Sequence, residues 1–209
     1  MNKKIIRKVT SAYFLFAALS MLFVHLGLEI KENDLVTFDT TIQNWVRNHH
    51  SPVLDHIMLF ITHSSSALPV LIIFAFIVYQ LYRQKLFDKM RFILVTIPGT
   101  MIINTLLKLI FQRNRPDLIN LLVEEKFYSF PSGHAMISST AVFAIIVLFW
   151  QSKHFYKIMA VGILYTFFVG YSRIYLGVHY PSDIIGGWII SFAWVILAQK
   201  LLLTNNVIE

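Results

Sequence analysis

Six long apolar stretches decide what this chain can fold into, at about 9–30, 67–82, 91–111, 134–150, 156–172 and 184–203. A membrane-spanning helix needs ~20 mostly apolar residues. Backbone in hydrocarbon must satisfy its own hydrogen bonds, and continuous apolar runs of this length do so as helices. The expectation is an all-α, polytopic membrane protein with six transmembrane helices, forming one domain over residues 1–209. The composition agrees, with 56% hydrophobic residues and a mean hydropathy of +0.64. The formal charge of +7 does not point to nucleic acid, because the basic residues gather at the ends of the apolar runs, as in integral membrane proteins. The chain has no cysteine, so disulfides and thiolate metal sites are excluded.

Charge then orients the spans. With a cytoplasmic N-terminus, eleven basic residues face inward, among them Lys3, Lys4, Arg7, Lys8, Arg83, Lys85 and Arg91. Seven face outward: Lys31, Arg47, Lys108, Arg113, Arg115, Lys126 and Arg173. That asymmetry satisfies the positive-inside rule, and an even number of spans returns the C-terminus to the cytoplasm. The first apolar run follows a basic segment but is too long for a signal peptide's core and ends in no small-residue cleavage site, so it reads as an uncleaved span. Residues 31–66 form the longest polar-rich connection, outside the membrane. Phe38, Ile42, Trp45 and Val46 keep helical spacing there, and Ser51-Pro52 opens a second pattern of Leu54, Ile57, Met58 and Ile61. Two short amphipathic helices at the outer interface follow, read as a lid packed on the bundle. His49, His50, His56 and His63 share that region, but their spacing makes no metal site.

Three segments place polar chemistry beside the apolar runs, where ionisable groups are costly and default to function. Lys108 and Arg115, before Pro116, are seven apart, two helical turns, and so point one way. Arg113 and Lys126 read instead as span-end cations reaching for headgroups. Pro131-Ser132-Gly133-His134 precedes the fourth run and offers the unpaired amides of a helix N-terminus to an anion. Ser172 to Asp183 carries Arg173, His179 and Asp183. Gly177 supplies its turn, and Pro181 opens a helix that sets His179 and Asp183 one turn apart. In the topology derived from charge, all three segments lie on the outer face.

Lys108-x6-Arg115-Pro116, Pro131-Ser132-Gly133-His134 and Ser172-Arg173-x5-His179-x3-Asp183 together resemble the three-part signature of the type 2 phosphatidic acid phosphatases, which share an active site with the vanadium haloperoxidases. The resemblance spans about 76 residues and implies a six-span bundle with an extracytoplasmic site. It further implies that His179 attacks phosphorus to form a phosphohistidine, with Asp183 orienting it. His134 protonates the leaving oxygen and then activates water. Lys108, Arg115, Arg173 and the amides around Ser132 and Gly133 hold the phosphate oxygens, with no metal or other cofactor.

The expected function is hydrolysis of the terminal phosphate of a membrane lipid phosphate or diphosphate. Phosphatidylglycerol phosphate and undecaprenyl diphosphate lead as substrates, ahead of phosphatidic acid. The alternatives are a phosphotransferase using the same phosphohistidine and a non-enzymatic lipid transporter. The second leaves the matched histidines and cations unexplained.

Overall fold

The structure is a computed structural model that describes residues 3–116, 123 and 125–203, without the side chains of 3–10. The described residues hold eight helices and no strand. They are α1 (Lys3–Glu32), α2 (Val36–Arg47), α3 (Pro52–Ser64), α4 (Ala67–Arg83), α5 (Phe87–Phe111), α6 (Gly133–Leu148), α7 (Phe155–Tyr175) and α8 (Pro181–Leu202). Each of the six apolar runs has become a helix, α1 and α4 to α8, in the expected order.

Four of the six, α1, α5, α7 and α8, are long and apolar enough to cross a bilayer unaided. α4 meets that test only together with α3, to which it is joined at a 43° bend. α6 is apolar but has only 16 residues. The described helices therefore give four spans, or five with the bent pair, against the six expected.

Helix α8 is the centre of the packing and touches α1, α5 and α6, while α6 also lies against α7. Between apolar helices in lipid, small residues and interhelical hydrogen bonds take over from the hydrophobic effect. Thr100 and Thr140 bond at 2.9 Å between α5 and α6, and the Trp194 indole donates to the Thr96 carbonyl at 3.0 Å. Gly186 lets α8 approach Phe130 so closely that a Cβ there would stand 2.5 Å from the ring. Phe130 is fully buried, stacked on Phe23 of α1 and edge-on to Phe111 of α5. This aromatic cluster fixes the segment that leads into α6.

The 31–66 connection forms the two expected short helices. Ser51 caps α3 by accepting from the Leu54 amide at 3.3 Å, with Pro52 in the first turn. The inward face of α2 differs from the apolar stripe read from spacing. Phe38 and Trp45 are exposed, whereas Asp39, Gln43 and Val46 are buried. Apolar periodicity assumes an apolar partner; here the partner is polar, as the site explains.

Candidate active site

Alternating helix directions bring the C-terminal ends of α5 and α7 together with the N-terminal ends of α6 and α8. Gln112, in the left-handed region at φ 48°, turns the chain out of α5. The segment after it is laced to the one before α6. Ser129 N–H donates to the Arg113 carbonyl at 2.9 Å, Arg115 Nε to the Phe127 carbonyl at 2.6 Å, and Lys108 Nζ to the Tyr128 carbonyl. Lys108 is buried, which removes headgroup snorkelling as its explanation.

The turn after α7 is closed by Gly177 at φ 74°, a conformation that costs glycine nothing. It delivers His179, buried, to Asp183 in the first turn of α8. His179 Nδ1 donates to Asp183 Oδ2 at 3.2 Å, and Arg115 donates to His179 Nε2 at 3.2 Å and to the Val178 carbonyl at 2.6 Å. The same Asp183 oxygen accepts from the Tyr180 amide at 2.9 Å. Burial, and after it the charges of Arg173, Arg115 and Lys108, hold the His179 imidazole well below its ordinary range. Asp183 can only accept and Arg115 can only donate, so these partners suit a neutral ring with its proton on Nδ1 and its lone pair on Nε2.

Arg173 is almost wholly enclosed. One of its terminal nitrogens donates to Thr62 Oγ1 of α3 at 2.7 Å and the other to Glu125. Its Nε–H has no partner among the described residues. Glu125 also lies 3.6 Å from Arg115, so one carboxylate bridges two of the three cations. Burial raises the Glu125 carboxyl, but Arg173 and Arg115 outweigh it and leave the group below its ordinary value. Both His134 and His179 fall within its electrostatic reach.

Ser132 caps α6, its hydroxyl accepting from the Ala135 amide at 3.5 Å. Its own N–H donates to the Asp183 carbonyl at 3.2 Å, so the Ser132 amide expected to cradle an anion is already engaged. Gly133 and His134, in the first turn, carry amides with no intrahelical acceptor. A Cβ on Gly133 would stand 3.2 Å from the Asn104 side chain, whose amide braces the Pro131 carbonyl at 3.0 Å. The half-buried His134 ring lies within reach of the charges of Arg173, Glu125, Lys108 and Arg115.

One residue contradicts its sequence reading. Arg113 does not reach for headgroups: its guanidinium is largely buried, lies 4.0 Å from the Tyr180 ring centroid and joins two acids. It donates to Asp183 Oδ1 at 2.6 Å, to Asp39 Oδ2 at 2.6 Å and to Ser182 Oγ at 2.8 Å. Asp39, on α2, is fully buried. Lys126 is exposed and fits the original reading. Spacing missed Asp39, Arg113 and Glu125 because their partners lie far along the chain. The available signal was acids placed beside apolar positions in the outer segments.

A cavity of about 610 Å³ opens between α4, α5, α6 and α7. Ile73, Phe74, Ile97, Ile137, Val161 and Tyr165 are among its lining residues. Ser138, also in its wall, hydrogen-bonds the His134 carbonyl one turn back at 2.7 Å, so the cavity comes within one helical turn of His134.

The profile of the PAP2 superfamily matches residues 89–206. Phosphatidylglycerophosphatase B of Bacillus subtilis (strain 168) is 33% identical over 181 residues, covering 82% of this chain and 86% of that protein. Undecaprenyl-diphosphatase BcrC of the same organism is 28% identical over 148 residues, 69% of this chain and 72% of that protein. The crystal structure of a transmembrane PAP2-type phosphatidylglycerolphosphate phosphatase from Bacillus subtilis superposes with a TM-score of 0.85 at 26% identity. It covers 94% of this chain and all of that one.

Proposed function

The chain belongs to the PAP2 superfamily and is a membrane phosphatase, and from that premise we propose that it hydrolyses the terminal phosphate of a lipid phosphate or diphosphate without a metal. Phosphatidylglycerol phosphate and undecaprenyl diphosphate are the leading substrates. The observation that carries this reading is the setting of His179: Asp183 holds Nδ1, and Nε2 is turned toward Arg115.

In the proposed reaction Arg115 passes its donor from His179 Nε2 to a phosphate oxygen, and the freed Nε2 lone pair attacks phosphorus in line as the bond to the lipid oxygen breaks. Protonated His134 gives that oxygen its proton, so it does not have to depart as an oxyanion. His134, now a base, takes a proton from water as the water oxygen attacks the phosphohistidine. Inorganic phosphate leaves and His179 is restored. Lys108, Arg115 and Arg173 hold the equatorial oxygens as negative charge shifts, with the Gly133 and His134 amides and the helix dipole of α6 behind them. Ser132 serves that cradle through its cap rather than its amide. The Arg173 Nε–H, which has no partner among the described residues, supports this assignment, because an unsatisfied buried donor is costly and an anion would remove the cost.

The apolar cavity beside His134 suits a lipid tail, and its volume is within the ~300–1,000 Å³ of small-ligand sites. We further infer that all six apolar helices cross the bilayer, with both termini cytoplasmic and the site outside. The test is phosphate release by purified protein against a panel of lipid phosphates and diphosphates, with and without EDTA. Release that survives EDTA and is inhibited by vanadate is expected. Silencing by the chelator would overturn the metal-free mechanism, and a phosphorylated acceptor alcohol in place of free phosphate would make the enzyme a phosphotransferase.

A further inference from the structure

Asp183 does not stand alone behind His179. Its second oxygen is held by Arg113, and Arg113 is held in turn by Asp39 of α2. Asp39 also accepts from the Ser182 amide at 2.9 Å and from the Ser182 hydroxyl at 2.6 Å, which ties it to the first turn of α8. Both acids are fully buried. Asp39 lies upstream of the residues matched by the family profile, which begin at 89. A buried ion pair is weak evidence for stability, since apolar residues of similar volume often serve as well. Two acids sharing one arginine at the back of a histidine therefore call for another account.

We propose that Asp39 and Arg113 are positioning residues for the His179 reaction, forming with Asp183 a fixed acid–arginine–acid chain of net charge −1 behind the ring. This rests on the reading of His179 as nucleophile. Attack on phosphorus puts positive charge on the imidazole, and a net −1 facing Nδ1–H stabilises it as it forms. With Arg113 and no Asp39, the guanidinium would draw on Asp183 alone and the chain would be neutral. With neither, Asp183 would keep its charge but lose its anchor on Oδ1. No proton travels along the chain; each link is a fixed charge.

Other charges reach the same ring: Arg115 after α5, Arg173 on α7, Lys108 on α5 and Glu125 before α6, which also reaches His134 on α6. On α2, Gln43 donates to the His179 carbonyl at 3.4 Å. The hydrogen bonds of the Asp39 and Arg113 side chains run to each other, Asp183 and Ser182 rather than to these groups, so the chain can be tested by itself.

The test is the ring NMR spectrum of His179 in the full-length protein in detergent, assigned by difference from His179→Gln, at fixed neutral pH. Arg113→Gln strengthens Asp183 as an acceptor and moves the Nδ1–H resonance downfield; Asp39→Asn weakens it and moves the resonance upfield. Arg113→Lys keeps the charge but cannot reach both acids, and gives a smaller shift than Arg113→Gln. In phosphate release, Asp39→Asn lowers kcat on the order of tenfold to a hundredfold through the lost charge, and the Arg113 variants do so through the lost Oδ1 anchor, while KM changes by less than about threefold, the pattern of an interaction made in the transition state. Shifts that are absent, or of one sign in Asp39→Asn and Arg113→Gln, overturn the chain and leave a structural tie. Should Asp39→Asn fail to fold, Arg113→Gln decides by the presence or absence of its downfield shift. Opposite shifts in a protein that releases no phosphate from any lipid would keep the chain and discard the phosphatase reading.

Discussion

At the scale of single residues, His179 and His134 have different surroundings but share one prediction. His179→Ala and His134→Ala should each abolish phosphate release while the protein still extracts and unfolds like the parent, measured by phosphate release beside a thermal melt. Removing the Arg173 clamp should cost on the order of 10²–10³ in rate. Glu125→Gln removes the carboxylate that competes with an anion for Arg115 and Arg173. Inhibition by vanadate should tighten several-fold, and an unchanged inhibition constant would show that the two guanidinium groups do not meet the anion. The depressed His179 value also sets a stability signature. The unfolded ring takes up a proton near pH 6.5 and the folded ring only well below it, so the unfolded state binds more protons between the two. Stability should therefore fall as pH drops below about 6.5, and His179→Gln should flatten that part of a melting-temperature profile.

Helices were legible in the sequence where their neighbours are lipid or apolar side chains. All six apolar runs, the Ser51-Pro52 start of α3 and the Pro181 start of α8 follow from local rules of hydropathy and capping. Arg173, His179 and Asp183 were readable because their spacing is fixed within a short segment, whereas the helical spacing read for Lys108 and Arg115 does not hold, since α5 ends at Phe111 and Gln112 turns the chain out of it. Arg113 was misread because a cation at a span end looks the same whether it meets headgroups or buried acids. The inward face of α2 was misread for the matching reason: what it meets is a guanidinium 74 residues away. A packing prediction also belongs to the elements. Gly186→Ala would drive a methyl into the buried Phe130 ring, which Phe23 and Phe111 keep from moving. Overpacking of this kind costs about 1–3 kcal/mol, visible as a lowered melting temperature, and the strain falls on the segment that carries Gly133 and His134.

For the whole molecule, the absence of cysteine makes topology directly measurable. Single cysteines at the exposed positions Lys85 and Lys126 should behave oppositely in intact cells. An impermeant maleimide should label Lys126→Cys, and should label Lys85→Cys only after permeabilisation. The reverse pattern would invert the proposed orientation and move the site to the cytoplasm.

The shortness of α6 carries a consequence for the membrane itself. Sixteen residues rise about 24 Å, against a hydrocarbon layer of about 30 Å. A helix that crosses with this length either thins the bilayer around it or leaves its first turn sunk below the headgroup plane. In the proposed topology His134 stands on that first turn, so the depth of the proposed reaction plane would follow lipid thickness. A substrate phosphate held at the headgroup level of a thick bilayer would have to descend several ångströms to reach it, whereas in a thin bilayer it arrives already in register. Under the proposed topology hydrophobic mismatch would set turnover, adjustable through the acyl length of the host membrane with no change in the protein.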